Sequence, residues 1–247
     1  LVRQAGVATL PFWRCDTAVT AKLDDSPVTA ADLAAHHLLL AGLNALAPEI
    51  QVLSEEAADI SLGERAQWSR WWQVDPLDGT FNYSRGMPLC CSSVGLWAGG
   101  EPVLGAVYNF FHDELFTGVA GRGAWRNGEP IRVSGVRALA RASLATGFPH
   151  HHDYGDESLR SFIGQVQGSK KIRMLGSAAL MGAYVACGWL DAYVEDDVWL
   201  WDIAGAAAIV RAAGGIVRVR PGKAGVWARE IVCAASAELS DILEKKE

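Results

Sequence analysis

The first third of the chain carries helical spacing of apolar positions. Thr29-Ala30-Ala31-Asp32 has the form of a capping box, and behind it Leu33, His37, Leu40, Asn44 and Ala47 share one helical face until Pro48 ends the run. Ile50 to Leu53 predicts a short strand, and Trp71 to Asp75 a second that stops at Pro76. From Ser92 to Val133 the texture changes to β. Ser93–Trp97 and Val103–Tyr108 flank a Gly-Gly turn, and Leu115–Val119 and Ala124-Trp125 follow. Asn127-Gly128 then gives a strong hairpin signal. This reads as an antiparallel meander. The last third alternates strand and helix: strands at 142–146, 192–194, 216–219 and 231–234, and helices at 158–167, 177–186 and 203–213. Gly214-Gly215 stops the third of these helices, and a C-terminal helix starts near Ser236.

These elements predict an α+β/α/β layered sandwich (αβαβα), with an antiparallel sheet in the N-terminal half and a smaller mixed sheet in the C-terminal half. The expected division lies between Ser134 and Arg141, giving halves 1–137 and 138–247. The 247 residues hold ample apolar material for a core, half of them being hydrophobic. Net charge is −6 with scattered basic residues, which argues against nucleic acid as a partner. An acidic protein can still bind an anion where a metal or backbone N–H groups supply positive field. The five cysteines show no C-x-x-C pair or zinc spacing and no apolar run is long enough for a membrane span. With no signal-peptide pattern, reduced thiols and a cytoplasmic home are expected. A chain opening on Leu1 rather than Met is expected to lack its first residues.

Asp75-Pro76-Leu77-Asp78-Gly79-Thr80 is the most informative segment. Two carboxylates straddle a proline, so one turn can aim both side chains and the Leu77 carbonyl into one small volume, and oxygen ligands of that kind suit Mg²⁺. Gly79 and Thr80 would open a helix whose free N–H groups favour a phosphate dianion. Read alone, the segment is equally an Asp-rich turn. Ser54-Glu55-Glu56 offers a further carboxylate at a strand end, with Glu56 better read as solvated. Asp202 begins a helix of small residues, either as its N-cap or as a ligand, and small residues at 204–208 permit close backbone approach.

Asp75-Pro-Leu-Asp-Gly-Thr-Phe-Asn-Tyr, Trp201-Asp-Ile-Ala and Gly214-Gly215 together resemble the inositol monophosphatase family. Lys22…Val28-Thr29…Asp32, Ser54-Glu55-Glu56, Gly121-Arg-Gly-Ala…Asn127-Gly128, Thr146-Gly-Phe-Pro and Gly176-Ser-Ala-Ala extend the resemblance in the right order from Lys22 to Gly215. It implies that Glu55, Asp75 and the Leu77 carbonyl hold one Mg²⁺, and that Asp75, Asp78 and Asp202 hold a second. A third, weaker ion would touch Glu55 through water. Four carboxylates balance two divalent ions, whereas without metal they would repel one another and the substrate. The implied reaction is hydrolysis of a small phosphate monoester by a metal-activated water, with inositol monophosphate as first substrate. Thr80, oriented by Asp32, would position that water, although Asp32 is also the end of its own capping box. Gly79 and Thr80 N–H groups would hold the phosphate, and Glu195 would take substrate hydroxyls beside Gly176, Ser177 and Ala178. Glu195-Asp196-Asp197 can also be read as an acidic loop, and Trp199 either walls the pocket or packs. Lithium inhibition and a homodimer are implied by the family alone.

The rival substrates within the superfamily are histidinol phosphate, 3′-phosphoadenosine 5′-phosphate and fructose 1,6-bisphosphate. A different class of reading is a non-catalytic metal- or ligand-binding protein. His150-His151-His152 reads as a solvated loop, Lys170, Lys171 and Arg173 as an exposed basic strand edge, and Cys90-Cys91 as a small buried pair.

Overall fold

The computed structural model describes residues 1–15, 20–21, 27–28, 30–57, 67–149 and 154–244. Helices α1 (Val2–Thr9) and α2 (Ala30–Leu46) enclose in sequence a short antiparallel pair, β1 (Thr20–Ala21) and β2 (Pro27–Val28). A seven-stranded sheet follows. It runs through β3 (Gln51–Ser54) and β4 (Arg70–Asp78), then, after the one-turn helix α3 (Thr80–Ser84), through β5 (Cys91–Ala98), β6 (Glu101–Asn109), β7 (Glu114–Val119), β8 (Gly123–Arg126) and β9 (Glu129–Ile131). Its strands lie in chain order because each is joined to the next by a short connection, apart from β3 and β4. The second sheet has the order β11-β10-β12-β14-β13. These strands are β10 (Ser143–Ala145), β11 (Lys171–Arg173), β12 (Ala192–Trp199), β13 (Ile216–Pro221) and β14 (Ala228–Ala234). Helices α4 (Asp156–Gly168), α5 (Ala178–Ala186), α6 (Leu200–Ala212) and α7 (Ala237–Glu244) complete the described chain.

The layers are α-β-α-β-α, as expected. Helices α1 and α2 cover the outer face of the large sheet, where Val2, Leu39 and Leu43 meet Val74, Val94 and Tyr108. Helices α5 and α6 lie between the sheets, in one core that joins Val107 and Phe116 to Tyr193, Ile231 and Cys233. Helix α7 covers the far face of the small sheet through Leu239. The middle layer is close because its surfaces are small. A Cβ on Gly95 would lie 2.6 Å from the Ala204 carbonyl carbon, and one on Gly118 the same distance from Ile209 Cα. The small residues of α6 thus do what their sequence suggests, letting the helix lie against sheet backbone.

Three expectations are corrected. The N-terminal sheet is mixed: β3 runs parallel to β4, while the other pairings are antiparallel. A parallel edge strand is what a long connection, rather than a hairpin, delivers. The strand at Trp71 does not stop at Pro76. Pairing is Asp75 with Ser93 and Asp78 with Cys91, so three steps on β4 oppose two on β5, and the proline sits in the resulting bulge where no ladder N–H is required. Finally, α2 does not bury the stripe of Leu33, His37, Leu40, Asn44 and Ala47; it buries Ala31, Asp32, Ala35, His36, Leu39 and Leu43. The two stripes are close in hydrophobicity, and the buried one carries the small side chains that permit near approach to the sheet. Lys22, Thr29 and His150 to His152 lie outside the described residues. Asn127-Gly128 makes the tight β8–β9 turn with both residues at positive φ.

Candidate active site

The site is assembled at the bulge in β4. Because Ser54 pairs with Val74 and the Glu55 N–H donates to the Val74 carbonyl at 3.1 Å, Glu55 lies beside Asp75. Asp75 folds back on its own turn, its Oδ1 accepting from the Leu77 N–H at 3.0 Å. From the other side comes the start of α6. There Asp202 is not the N-cap but the third residue of the helix, and its Oδ2 accepts from the Trp199 N–H at 3.2 Å. One carboxylate oxygen from each of Glu55, Asp75 and Asp202 then falls within 4.8 Å of the others. Asp75 is driven far above the usual carboxylate range, by burial first and then by the charges of Glu55, Asp78 and Asp202. Asp202 is raised for the same reasons, burial leading and Glu55 and Asp78 following. Hard oxygen donors gathered so that they repel one another form a set that a divalent cation relieves, so these residues fit a metal.

Gly79 ends β4 with φ +86°, which turns the chain directly into α3. The first residue of that helix, Thr80, has two acceptors within reach of its one hydroxyl proton, Asp32 Oδ1 at 3.1 Å and the Leu77 carbonyl at 2.9 Å. Asp32 reaches this point because it stands on the buried face of α2. Asp78 faces the other way. Its Oδ2 accepts from the Ser177 hydroxyl at 2.5 Å and the Ala179 N–H at 2.8 Å, at the head of α5, with the Cys91 thiol at 3.6 Å. Its Oδ1 has one long contact, 3.3 Å from the Ala178 N–H. Burial raises Asp78 to about 6 and these donors hold it from going higher.

A cleft of about 570 Å³ opens over this floor and is walled by Phe148, Gly176, Glu195 and Trp199. Glu195 is buried and pushed up to about 8, chiefly by desolvation. Trp199 does both things its position allowed: it lines the cleft and stacks on Trp201 with ring centroids 5.7 Å apart. Glu56 stays outside the acidic cluster, Lys171 and Arg173 lie on an edge strand away from the cleft, and Cys90 and Cys91 are both buried free thiols. The structure thus brings together Asp32, Glu55, Asp75, Leu77, Asp78, Gly79, Thr80, Gly176, Ser177, Ala178, Glu195 and Asp202, all but Asp32 around the cleft itself.

The inositol monophosphatase family model matches residues 7–246. The chain belongs to the inositol monophosphatase family. Inositol monophosphatase 3 of Solanum lycopersicum is 37% identical over 221 residues, covering 88% of this chain and 82% of that protein. An inositol-1-monophosphatase of Mesorhizobium japonicum is 39% identical over 194 residues, 77% and 71% of the two chains. The extragenic suppressor protein SuhB of Bartonella henselae superposes with a TM-score of 0.86 at 31% identity, covering 99% of this chain and 94% of that one. As a member of this family the chain is a phosphoric monoester hydrolase of a metal-dependent class acting on small phosphate esters.

Two residues that hold the site in place were given no role from the sequence. Asn82 donates its side-chain N–H₂ to the carbonyls of Leu89 at 2.8 Å, Leu175 at 2.7 Å and Gly176 at 3.2 Å, tying α3 to the approach of α5. Tyr193 donates to Glu195 Oε2 at 2.9 Å. The signal for Tyr193 was present, since residues two apart on a strand share a face. Asn82 stands inside the quoted motif, but its role was hidden because its partners on the α5 side lie 93 and 94 positions away.

Proposed function

We propose that the chain hydrolyses inositol monophosphate with Mg²⁺ as its cofactor. The observation that carries this reading is the convergence of Glu55, Asp75 and Asp202 beside the Thr80–Asp32 pair. Glu55, Asp75 and the Leu77 carbonyl would hold one Mg²⁺. Asp75, Asp202 and the lightly engaged Oδ1 of Asp78 would hold a second, with a weaker third near Glu55. When bound, magnesium neutralises the carboxylates, polarises the phosphoryl oxygens and activates water. The chain supplies the rest. Asp32 takes the Thr80 hydroxyl proton as a hydrogen bond, which leaves Thr80 Oγ1 with a lone pair to hold a water in one orientation. Gly79 and Thr80 N–H groups at the turn receive the phosphate. Glu195, with Ser177 and Ala178 opposite, accepts substrate hydroxyls at the far wall of the cleft. Withdrawing the ester from water strengthens each of these contacts.

The same reading takes the enzyme as a cytoplasmic homodimer in which the half 1–137 supplies most metal ligands and the half 138–247 supplies Asp202 and the substrate-selecting residues. No helix among the described residues is long and apolar enough to cross a membrane. The deciding test is a phosphate-release screen over inositol, sugar, amino-alcohol and nucleotide phosphates. Inositol 1-phosphate should lead, activity should vanish in excess chelator, and millimolar Mg²⁺ should restore it, since carboxylate-and-water sites bind this ion weakly. A clear preference for histidinol phosphate would displace the substrate reading, and full turnover in chelator would displace the metal reading.

A further inference from the structure

We propose that Tyr193 and Gly147 form a clamp that fixes the Glu195 carboxylate, so that one of its oxygens alone is presented to a substrate hydroxyl. Tyr193 is thereby a positioning residue for polyol selection. The inference rests on the reading of Glu195 as a hydroxyl acceptor. Its own ground is geometric. Tyr193 and Glu195 lie two apart on β12 and face the same side of the small sheet. Both are buried, and the Tyr193 hydroxyl donates to Glu195 Oε2 at 2.9 Å. Among the described residues this is the only hydrogen bond to that carboxylate.

The loop after β10 packs close to the same group, with room for it only because residue 147 is glycine. A Cβ at Gly147 would stand 2.5 Å from Oε2 and 2.8 Å from both Oε1 and the carboxylate carbon. Such contacts are closer than real Cβ atoms tolerate, so only glycine fits there with the carboxylate in this position. Gly147 and Glu195 both line the catalytic cleft. A long acidic side chain loses rotamer freedom when it is hydrogen-bonded and closely packed, and that cost is met in folding rather than on binding. Once ionised, as it becomes when pH rises through about 8, the carboxylate offers the oxygen that Tyr193 leaves free only as an acceptor, so in that state it recognises an O–H on the carbon skeleton and rejects an aldehyde, ketone or anionic substituent. The class selected is a cyclic or branched polyol phosphate with a hydroxyl positioned remote from the phosphate.

The test compares wild type with Tyr193→Phe, Gly147→Ala, Glu195→Gln and the Tyr193→Phe/Glu195→Gln double variant. It reads KM and kcat for inositol 1-phosphate, inhibition by inorganic phosphate, which offers no carbon-bound hydroxyl, and thermal unfolding as a check on the fold. For Tyr193→Phe and Gly147→Ala, KM should rise about tenfold, as loss of a charge-assisted contact implies, with kcat moving less than about threefold. Phosphate inhibition should hold within about twofold. The double variant should be no worse than Glu195→Gln alone, because Tyr193 acts only through that side chain. If Glu195→Gln leaves KM unchanged, or if no variant including wild type turns over inositol 1-phosphate, the hydroxyl-acceptor reading fails and the clamp with it. If Glu195→Gln raises KM while Tyr193→Phe does not, or if the two effects add in full, the clamp alone is overturned.

Discussion

Asp75 and Asp78 stand three residues apart on one strand and meet opposite surroundings. Around Asp75 the nearest charged neighbours are carboxylates, Glu55 among them within hydrogen-bond reach, and the Leu77 N–H of its own turn donates to it. Around Asp78 the neighbours are donors: the Ser177 hydroxyl and two N–H groups at the head of α5. One acid is left wanting a cation, while the other has one oxygen, Oδ2, satisfied by the protein as a strut between the metal loop and the substrate wall and keeps only the lightly engaged Oδ1 for an ion. Two residues that look equivalent in a motif therefore carry different shares of activity and stability. The bulge at Pro76 creates the difference, since it lets both side chains escape strict alternation along β4.

The sharpest way to break this comparison is Asp75→Asn. Turnover should fall by roughly a thousandfold or more, as loss of a ligand shared by both proposed ions implies. The metal-free variant should melt at a higher temperature than metal-free wild type, because a repelled buried charge has gone. Retained turnover would refute the assignment. Asp78→Asn should reverse the pattern. Its amide has only one acceptor atom for the donors of α5, so stability should drop by about 2 kcal/mol, read by denaturant unfolding in chelator, and the fall should persist with Mg²⁺ present. Next in size, Asn82→Ala leaves the Leu89 and Leu175 carbonyls without their shared donor and should cost about 1–2 kcal/mol. It should also loosen the Asp78 strut, which amide exchange at Ala178 and Ala179 would reveal as faster exchange.

The smallest effect concerns Glu195, which is held at about 8 in the folded chain against an ordinary glutamate near 4.3. A raised folded-state value contributes stability that is complete below about pH 4 and is lost as pH climbs through about 8. Glu195→Gln carries no such proton. Its stability relative to wild type should therefore improve steadily from pH 5 to pH 9, by at least about 1 kcal/mol at the upper end. Melting curves in chelator across that range check it, and a difference independent of pH would show that Glu195 is not the group concerned.

Much of the architecture was legible in the chain. The β-meander followed from alternation and from Gly99-Gly100 and Asn127-Gly128, whose turns both use positive φ, and the small-residue helix at Leu200–Ala212 followed from its composition. The acidic motif at Asp75–Thr80 was by itself equally an Asp-rich turn, and it took on a chemical meaning only beside Ser54-Glu55-Glu56, Trp201-Asp202 and the family resemblance. The buried face of α2 was misassigned because two stripes of similar hydrophobicity differ only in side-chain volume, and volume matters only against a partner surface.

What the sequence determined by itself was a set of local preferences: where strands alternate, where glycines turn, and which acids stand close along the chain. Only the tertiary structure decided which acid meets a charge and which meets a donor. Asp32, Glu55, Asp202 and Glu195 come from separate elements whose side chains converge at the Asp75–Thr80 turn once two sheets close on α5 and α6. Electrostatic and hydrogen-bond energies depend on distance in space and on exclusion of water, neither of which is written in the order of residues.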